Sequence, residues 1–219
     1  MAPTHRQPAA FFLRLLLAVA LSWPAAVRAE PPAQIGLRLG VRGLGEVWQD
    51  THVMMAYRSS RFTASGVVSY QVWRFLGAAL EVGYERQGGL NFYGHRRAPA
   101  GGSASLEVVP ITLMAEASHG LGNLLLFGAL GCAITPFDET GDGIVPVSGT
   151  KFGAALQVGA RIDTKLIQPS MRSGEGARLQ AVELEIFAGR RQHHLFGIDA
   201  EDTLDLSAWR FGAGLMARF

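Results

Sequence analysis

A chain of 219 residues, 48% hydrophobic and 17% charged, holds one sizeable domain. Its net charge of +2 is not a property of that domain: residues 1–29 carry Arg6, Arg14 and Arg28 and no acid, so without them the balance is −1. No polybasic run remains, which excludes nucleic acid as a partner, and the lone Cys132 excludes an internal disulfide.

The first segment reads as a secretory signal peptide over 1–29. Arg6 and Arg14 precede the apolar run "LLLAVALSW", and Val27 and Ala29 stand at the small-residue positions before a cut. The run is too short to span a bilayer, which needs about 20 apolar residues. Residues 30–219 form the mature domain. Six of its stretches alternate with a period of two, the mark of strands whose side chains face opposite ways. In "QIGLRLGVR", Ile35, Leu37, Leu39 and Val41 oppose Arg38 and Arg42. In "RFTASGVVSYQVW", Phe62, Ala64, Gly66, Val68, Tyr70 and Val72 form one row. In "LGAALEVGYE", Leu76, Ala78, Leu80, Val82 and Tyr84 oppose Glu81 and Glu85. In "KFGAALQVGARID", the row from Phe152 to Ile162 opposes Lys151, Gln157, Arg161 and Asp163. In "VELEIFAG", Val182, Leu184, Ile186 and Ala188 oppose Glu183 and Glu185. In the closing "LSAWRFGAGLMARF", Trp209, Phe211, Ala213, Leu215, Ala217 and Phe219 oppose Arg210 and Arg218.

Two further strands are less regular. "SLEVVPITLMAEA" alternates after Pro110, with a bulge expected at Val109-Pro110 because proline cannot donate to a ladder. "NLLLFGALGCAIT" is apolar on both faces, so its sides stay unassigned, and Cys132 within it reads as a packed, inert thiol. Eight strands result. Short connections fall at 73–75 and 117–122, a longer one at 168–177, and long polar ones at 49–60, 91–103, 136–149 and 196–207.

Alternation leaves open which face meets solvent. The six apolar rows contain no charge, while the opposite rows contain 11. A solvated row tolerates occasional apolar residues, whereas a lipid-facing row excludes a mid-depth Arg at about 2–4 kcal/mol. The charged rows are also rich in Gly, Ala and Ser, as the narrow interior of an eight-stranded barrel requires. Trp48, Phe62, Phe92, Tyr93, Phe152, Trp209 and Phe211 cluster at the long-loop end, and Tyr70, Trp73, Phe75 and Phe219 at the other, as two interfacial belts. The expectation is an all-β, eight-stranded antiparallel up-and-down transmembrane barrel of the outer membrane. Arg38, Arg42, Glu81, Glu85, Lys151, Arg161, Glu183, Glu185 and Arg210 would make a charged network in its lumen.

On "AALEVGYERQGG" (78–89), "SLEVVPITL" (105–113), "LLFGALGCAI" (125–134) and "FGAALQVGAR" (152–161), the chain resembles the PorT-like outer-membrane β-barrel proteins of Gram-negative bacteria. The resemblance implies a small barrel, with family members linked to secretion across the envelope. The terminal Phe219, with Gly214, resembles the signal read by the barrel-insertion machinery, although Ala217 stands where a second aromatic is usual.

Catalytic and metal signals are sparse. His52, His95 and His119 fall in separate connections, and His193-His194 point to opposite faces, so all read as solvated polar residues and not as ligands. Neither a metal nor a cofactor is expected. Ser118-His119, expected in a short turn, is the nearest nucleophile–base pair and carries the alternative of a lipid A-modifying enzyme. A soluble periplasmic ligand-binding barrel is the other alternative. Of the loops, "GHRRAP" offers Arg96 and Arg97 to lipopolysaccharide phosphates. Asp138, Glu139 and Asp142, with Asp199, Glu201, Asp202 and Asp205, offer oxygens to divalent cations or a surface partner. The expected protein is a non-enzymatic monomer, surrounded by outer-membrane lipids and lipopolysaccharide, with at most a narrow pore.

Overall fold

Because each alternating stretch presents one apolar and one polar face, the strands can satisfy both faces and every backbone group only by closing on themselves. The computed structural model shows that closure. It describes residues 36–49, 61–73, 75–90, 103–141, 147–164, 179–193 and 205–219. Residues 1–29, His52, Phe92, Tyr93, His95, Arg96, Arg97, Asp142 and His194 lie outside these, as do Asp199, Glu201 and Asp202. The elements are β1 (Gly36–Trp48), β2 (Arg61–Gln71), β3 (Leu76–Leu90), β4 (Ser103–Val108), β5 (Ile111–Leu121), β6 (Leu124–Gly141), β7 (Val147–Asp163), β8 (Ala181–Gln192) and β9 (Ala208–Arg218). All pairings are antiparallel between chain neighbours, and β9 returns to β1.

Segments β4 and β5 are one strand, with β3 on one side and β6 on the other. The bulge expected between them is absent. Val108 pairs with Phe137 and Ile111 with Ile134, so three steps on one strand match three on the other. On the β3 side, Glu85 and Val82 keep the same spacing. Pro110 removes a donor without adding a residue, and Gly83 N still donates to Pro110 O at 2.8 Å. Pro110 is buried against Gly83, where a Cβ would lie 3.0 Å from its Cγ. The barrel therefore has eight strands, as expected.

Register fixes the shape. From Arg38 the pairing runs through Ser69, Ala79, Met114, Gly131, Ala155, Arg191 and Ala208 and returns to β1 at Trp48. That is ten residues from its start, the stagger that closure of tilted strands demands. Every residue on this path faces inward. Tight turns close one end. Between β2 and β3, Val72 N and Trp73 N donate to Leu76 O at 3.0 and 2.9 Å. Between β5 and β6 stand Gly122 and Asn123, with Gly122 at φ 65°. The strands run further at the other end than the sequence suggested. There the 136–149 connection shrinks to 142–146 because β6 and β7 continue, while at the tight-turn end β5 runs on to Leu121 and takes in His119. Both β1 and β9 have their terminal-side ends at the tight-turn end.

Candidate functional site

Side-chain direction inverts the order of a soluble protein. Leu39, Val68, Leu80, Val82, Leu113, Val158, Leu184, Ile186 and Leu215 are exposed on the exterior, while Arg38, Arg42, Glu81, Glu85, Lys151, Arg161, Glu183, Glu185 and Arg210 are all buried inside. These nine are the residues at which the alternation expected a lumen network. The strand with unassigned sides is also resolved: Leu126, Leu130 and Ile134 face outward, and Phe127, Ala129, Ala133, Thr135 and Phe137 face in. Cys132 is exposed on the outer face and is not a packed core thiol.

Inside, the charges form a continuous alternating chain. Glu46 Oε2 accepts from Arg191 Nη2 at 3.0 Å, and its Oε1 from Arg210 Nε at 3.0 Å. Arg210 also donates to Glu81, whose other oxygen takes Arg42 Nη1 at 2.6 Å. Arg42 Nε reaches Glu185 at 2.5 Å, and Glu185 accepts Arg161 Nε at 2.6 Å. Arg161 ends the chain in a fork on Glu116 at 2.6 and 2.7 Å. A second group nearer the tight turns joins Arg38 and Arg218 through Glu183, each at 3.0 Å. Arg38 also donates to Gln71 at 2.9 Å. These contacts are chords across the lumen: from β1, Arg42 reaches carboxylates on β3 and β8 and, at 3.4 Å, the Gln157 oxygen on β7. Charges this deeply buried persist only if each is paired and hydrogen-bonded.

Apolar side chains brace the ions. The Arg161 guanidinium lies 4.1 Å from the Phe127 ring centroid and that of Arg42 lies 4.7 Å from Phe187. Those two rings pack with Leu44. Towards the loop end, Trp48, Leu106, Phe137 and Leu206 form a second buried cluster inside the mouth. Leu206 is drawn in just ahead of β9, where Ser207 N donates to Asp205 Oδ1 at 2.8 Å and Gln49 N to Ser207 O at 2.8 Å.

Several site residues were missed. Glu46, Glu116, Glu139, Arg191 and His193 are buried in the lumen as well. Parity carried a few residues past the regular stretch reaches Glu46 on β1, Arg191 on β8 and His193 just past it, and Glu116 already stands on the inward row after Pro110, but Glu139 lies on β6, whose sides the sequence leaves unassigned. His193 is not solvated: its Nε2 lies 3.3 Å from Thr135 Oγ1. Glu139, expected in an acidic loop, faces inward from β6, whereas Asp138 beside it faces out. Trp48 leaves the aromatic belt for the mouth cluster. Phe152, Trp209 and Phe211 remain exposed at the loop end, as do Tyr70, Trp73 and Phe75 at the other. Ser118 and His119 lie in β5 and not in a turn. Ser118 faces inward near Gln71 Nε2, at 3.5 Å, and His119 next to it sits on the other face, so the two do not form a nucleophile–base pair. Among the described residues no His, Cys, Asp and Glu group could hold a metal ion.

An apolar exterior, a closed hydrogen-bonded wall and an ionic interior define a transmembrane β-barrel of the outer-membrane type. Several solved structures have a similar fold. The chain matches Ail, the attachment invasion locus protein of Yersinia pestis, solved with the heparin analogue sucrose octasulfate. The match has 10% identity over 84% of this chain and 97% of that one, with a TM-score of 0.50. It also matches the N-terminal β-barrel domain of Pseudomonas aeruginosa OprF (10% identity, 83% and 97% covered, TM-score 0.49). Neisserial surface protein A is a third (13% identity, 87% and 100% covered, TM-score 0.47). No protein-family model matches the sequence, and no curated protein matches it.

Proposed function

We propose that this protein is an integral outer-membrane barrel that catalyses no reaction and presents its long loops at the cell surface for binding or shielding. One observation carries the reading: Arg42, Glu81, Arg161 and Glu185 are almost completely buried around the axis while Leu130, Leu113 and Val41 are more than half exposed outside. Water would reward the opposite arrangement, and hydrocarbon rewards this one. The chords that cross the lumen, with the Trp48–Leu206 cluster above them, leave at most a narrow permeation path.

Several parts of the reading rest on the sequence. Residues 1–29 act as a cleaved signal peptide, and 30–219 as the barrel domain. Gly214 and Phe219 serve as the signal for the barrel-insertion machinery, and the sequence likeness is to PorT-like barrels. The tight turns then face the periplasm and the loop end faces outward. Lipopolysaccharide and other outer-membrane lipids surround a monomer.

The test is fractionation of expressing cells. The protein should resist carbonate extraction, migrate differently on gels before and after heating, and be cut at its loops by protease added to intact cells. A protein washed off by carbonate would be a soluble barrel, and the proposal would be abandoned.

A further inference from the structure

The lumen arginines and Arg86 each meet a carboxylate; Arg190 does not among the described residues. It stands on the outward row of β8, one step beyond Ala188 and opposite Trp209 on β9. Its Nη2 donates to Gln49 Oε1 at 3.0 Å, and its Cζ lies 5.3 Å from the Trp209 ring centroid. Trp209 is 46% exposed on the barrel exterior. Below this level lie Ala188, Ile186, Phe211 and Leu215, all outward-facing and apolar. A half-buried guanidinium with no carboxylate partner among the described residues is thus held in place by two neighbours at the loop-end edge of the apolar band. Arg86, on the same rim, is by contrast satisfied by Glu107 at 3.3 Å.

We infer that Arg190, positioned by Gln49 and Trp209, binds the phosphate of a phosphorylated outer-leaflet lipid whose acyl chains lie down the β8–β9 face. This inference rests on the outer-membrane reading above. The chemistry is amphipathic on both sides: a forked cation meets the phosphate oxygens, and the apolar strand surface beneath takes hydrocarbon. The indole, which keeps one face against the cation, sits at the depth where aromatic rings favour the interface.

The experiment uses full-length wild type, Arg190→Gln and Arg86→Gln, each shown by heat-modifiable migration to be an assembled barrel in detergent. Native mass spectrometry then counts retained lipid A bearing both phosphates against the same lipid A after dephosphorylation. Wild type should prefer the phosphorylated form by about tenfold, the order expected of a hydrogen-bonded charge pair. Arg190→Gln should lose that preference and Arg86→Gln should keep it. Gln49→Ala, which frees the guanidinium without removing it, should weaken the preference and stands in if Arg190→Gln fails to assemble. Equal preference in wild type and Arg190→Gln, or no preference in wild type, overturns the site. Because both results come from assembled barrels, they leave the membrane placement standing, whereas failure of carbonate resistance would sink that placement itself.

Discussion

Glu185→Gln is the sharpest probe of the ionic interior. The side chain is fully buried and accepts Arg42 Nε at 2.5 Å and Arg161 Nε at 2.6 Å. An amide keeps the shape and one acceptor but removes the charge that separates two guanidinium groups. Removing one partner of a buried ion pair costs about 3–5 kcal/mol. Here each arginine retains another carboxylate, Glu81 for Arg42 and Glu116 for Arg161. The lower end therefore applies, about 3 kcal/mol, which is roughly a hundredfold in the unfolding constant. The exposed pair of Arg86 and Glu107 supplies the control, since Glu107→Gln should cost under about 1 kcal/mol. Urea titration of the refolded barrel in lipid vesicles, followed by tryptophan fluorescence and gel mobility, measures both. If Glu185→Gln loses no more stability than Glu107→Gln, the buried chain is not what holds the lumen together.

Leu130→Arg, at a position 63% exposed and midway along the outward row of β6, should destabilise the inserted barrel by about 2–4 kcal/mol, seen as a lower urea midpoint in vesicles. Gly131→Ala would press a Cβ onto Leu113 O, so the backbone must shift, at a cost of about 1–3 kcal/mol and with reduced assembly yield on gels. Gly66→Ala, on the outer face with nothing within 4 Å of the new carbon, should assemble like wild type in the same assay. Cys132, exposed on the lipid-facing side, should react with an apolar maleimide in vesicles and resist a charged one until the barrel is unfolded.

The two-residue period makes the barrel legible because each regular strand confines its charges to one parity. It gives no answer at β6, where the inward row is also apolar. Phe127 is inside because Arg161 stacks on it, and that requirement comes from β7, seen only in three dimensions. Glu46 and Arg191 are harder to see because the regular alternation stops at Arg42 in β1 and at Gly189 in β8, although their parity is already set there. Val109-Pro110 misleads in the other direction. A missing donor resembles an inserted residue in sequence, and only the pairing of Val108 with Phe137 and Ile111 with Ile134 tells them apart. His193 looks solvated because nothing local announces that Thr135, from a strand two places away, waits inside.

Arg210 belongs to the final strand, yet the two carboxylates it satisfies, Glu46 and Glu81, belong to the first and third. Until the last hairpin arm arrives at the seam, Glu46 holds only Arg191 and Glu81 only Arg42, and each lacks its second guanidinium. Docking of β9 against β1 and completion of the axial ion network are consequently a single event. A half-finished cylinder, or one sealed a residue out of step, would leave those two acids half-partnered in the interior, so the ionic axis favours correct closure.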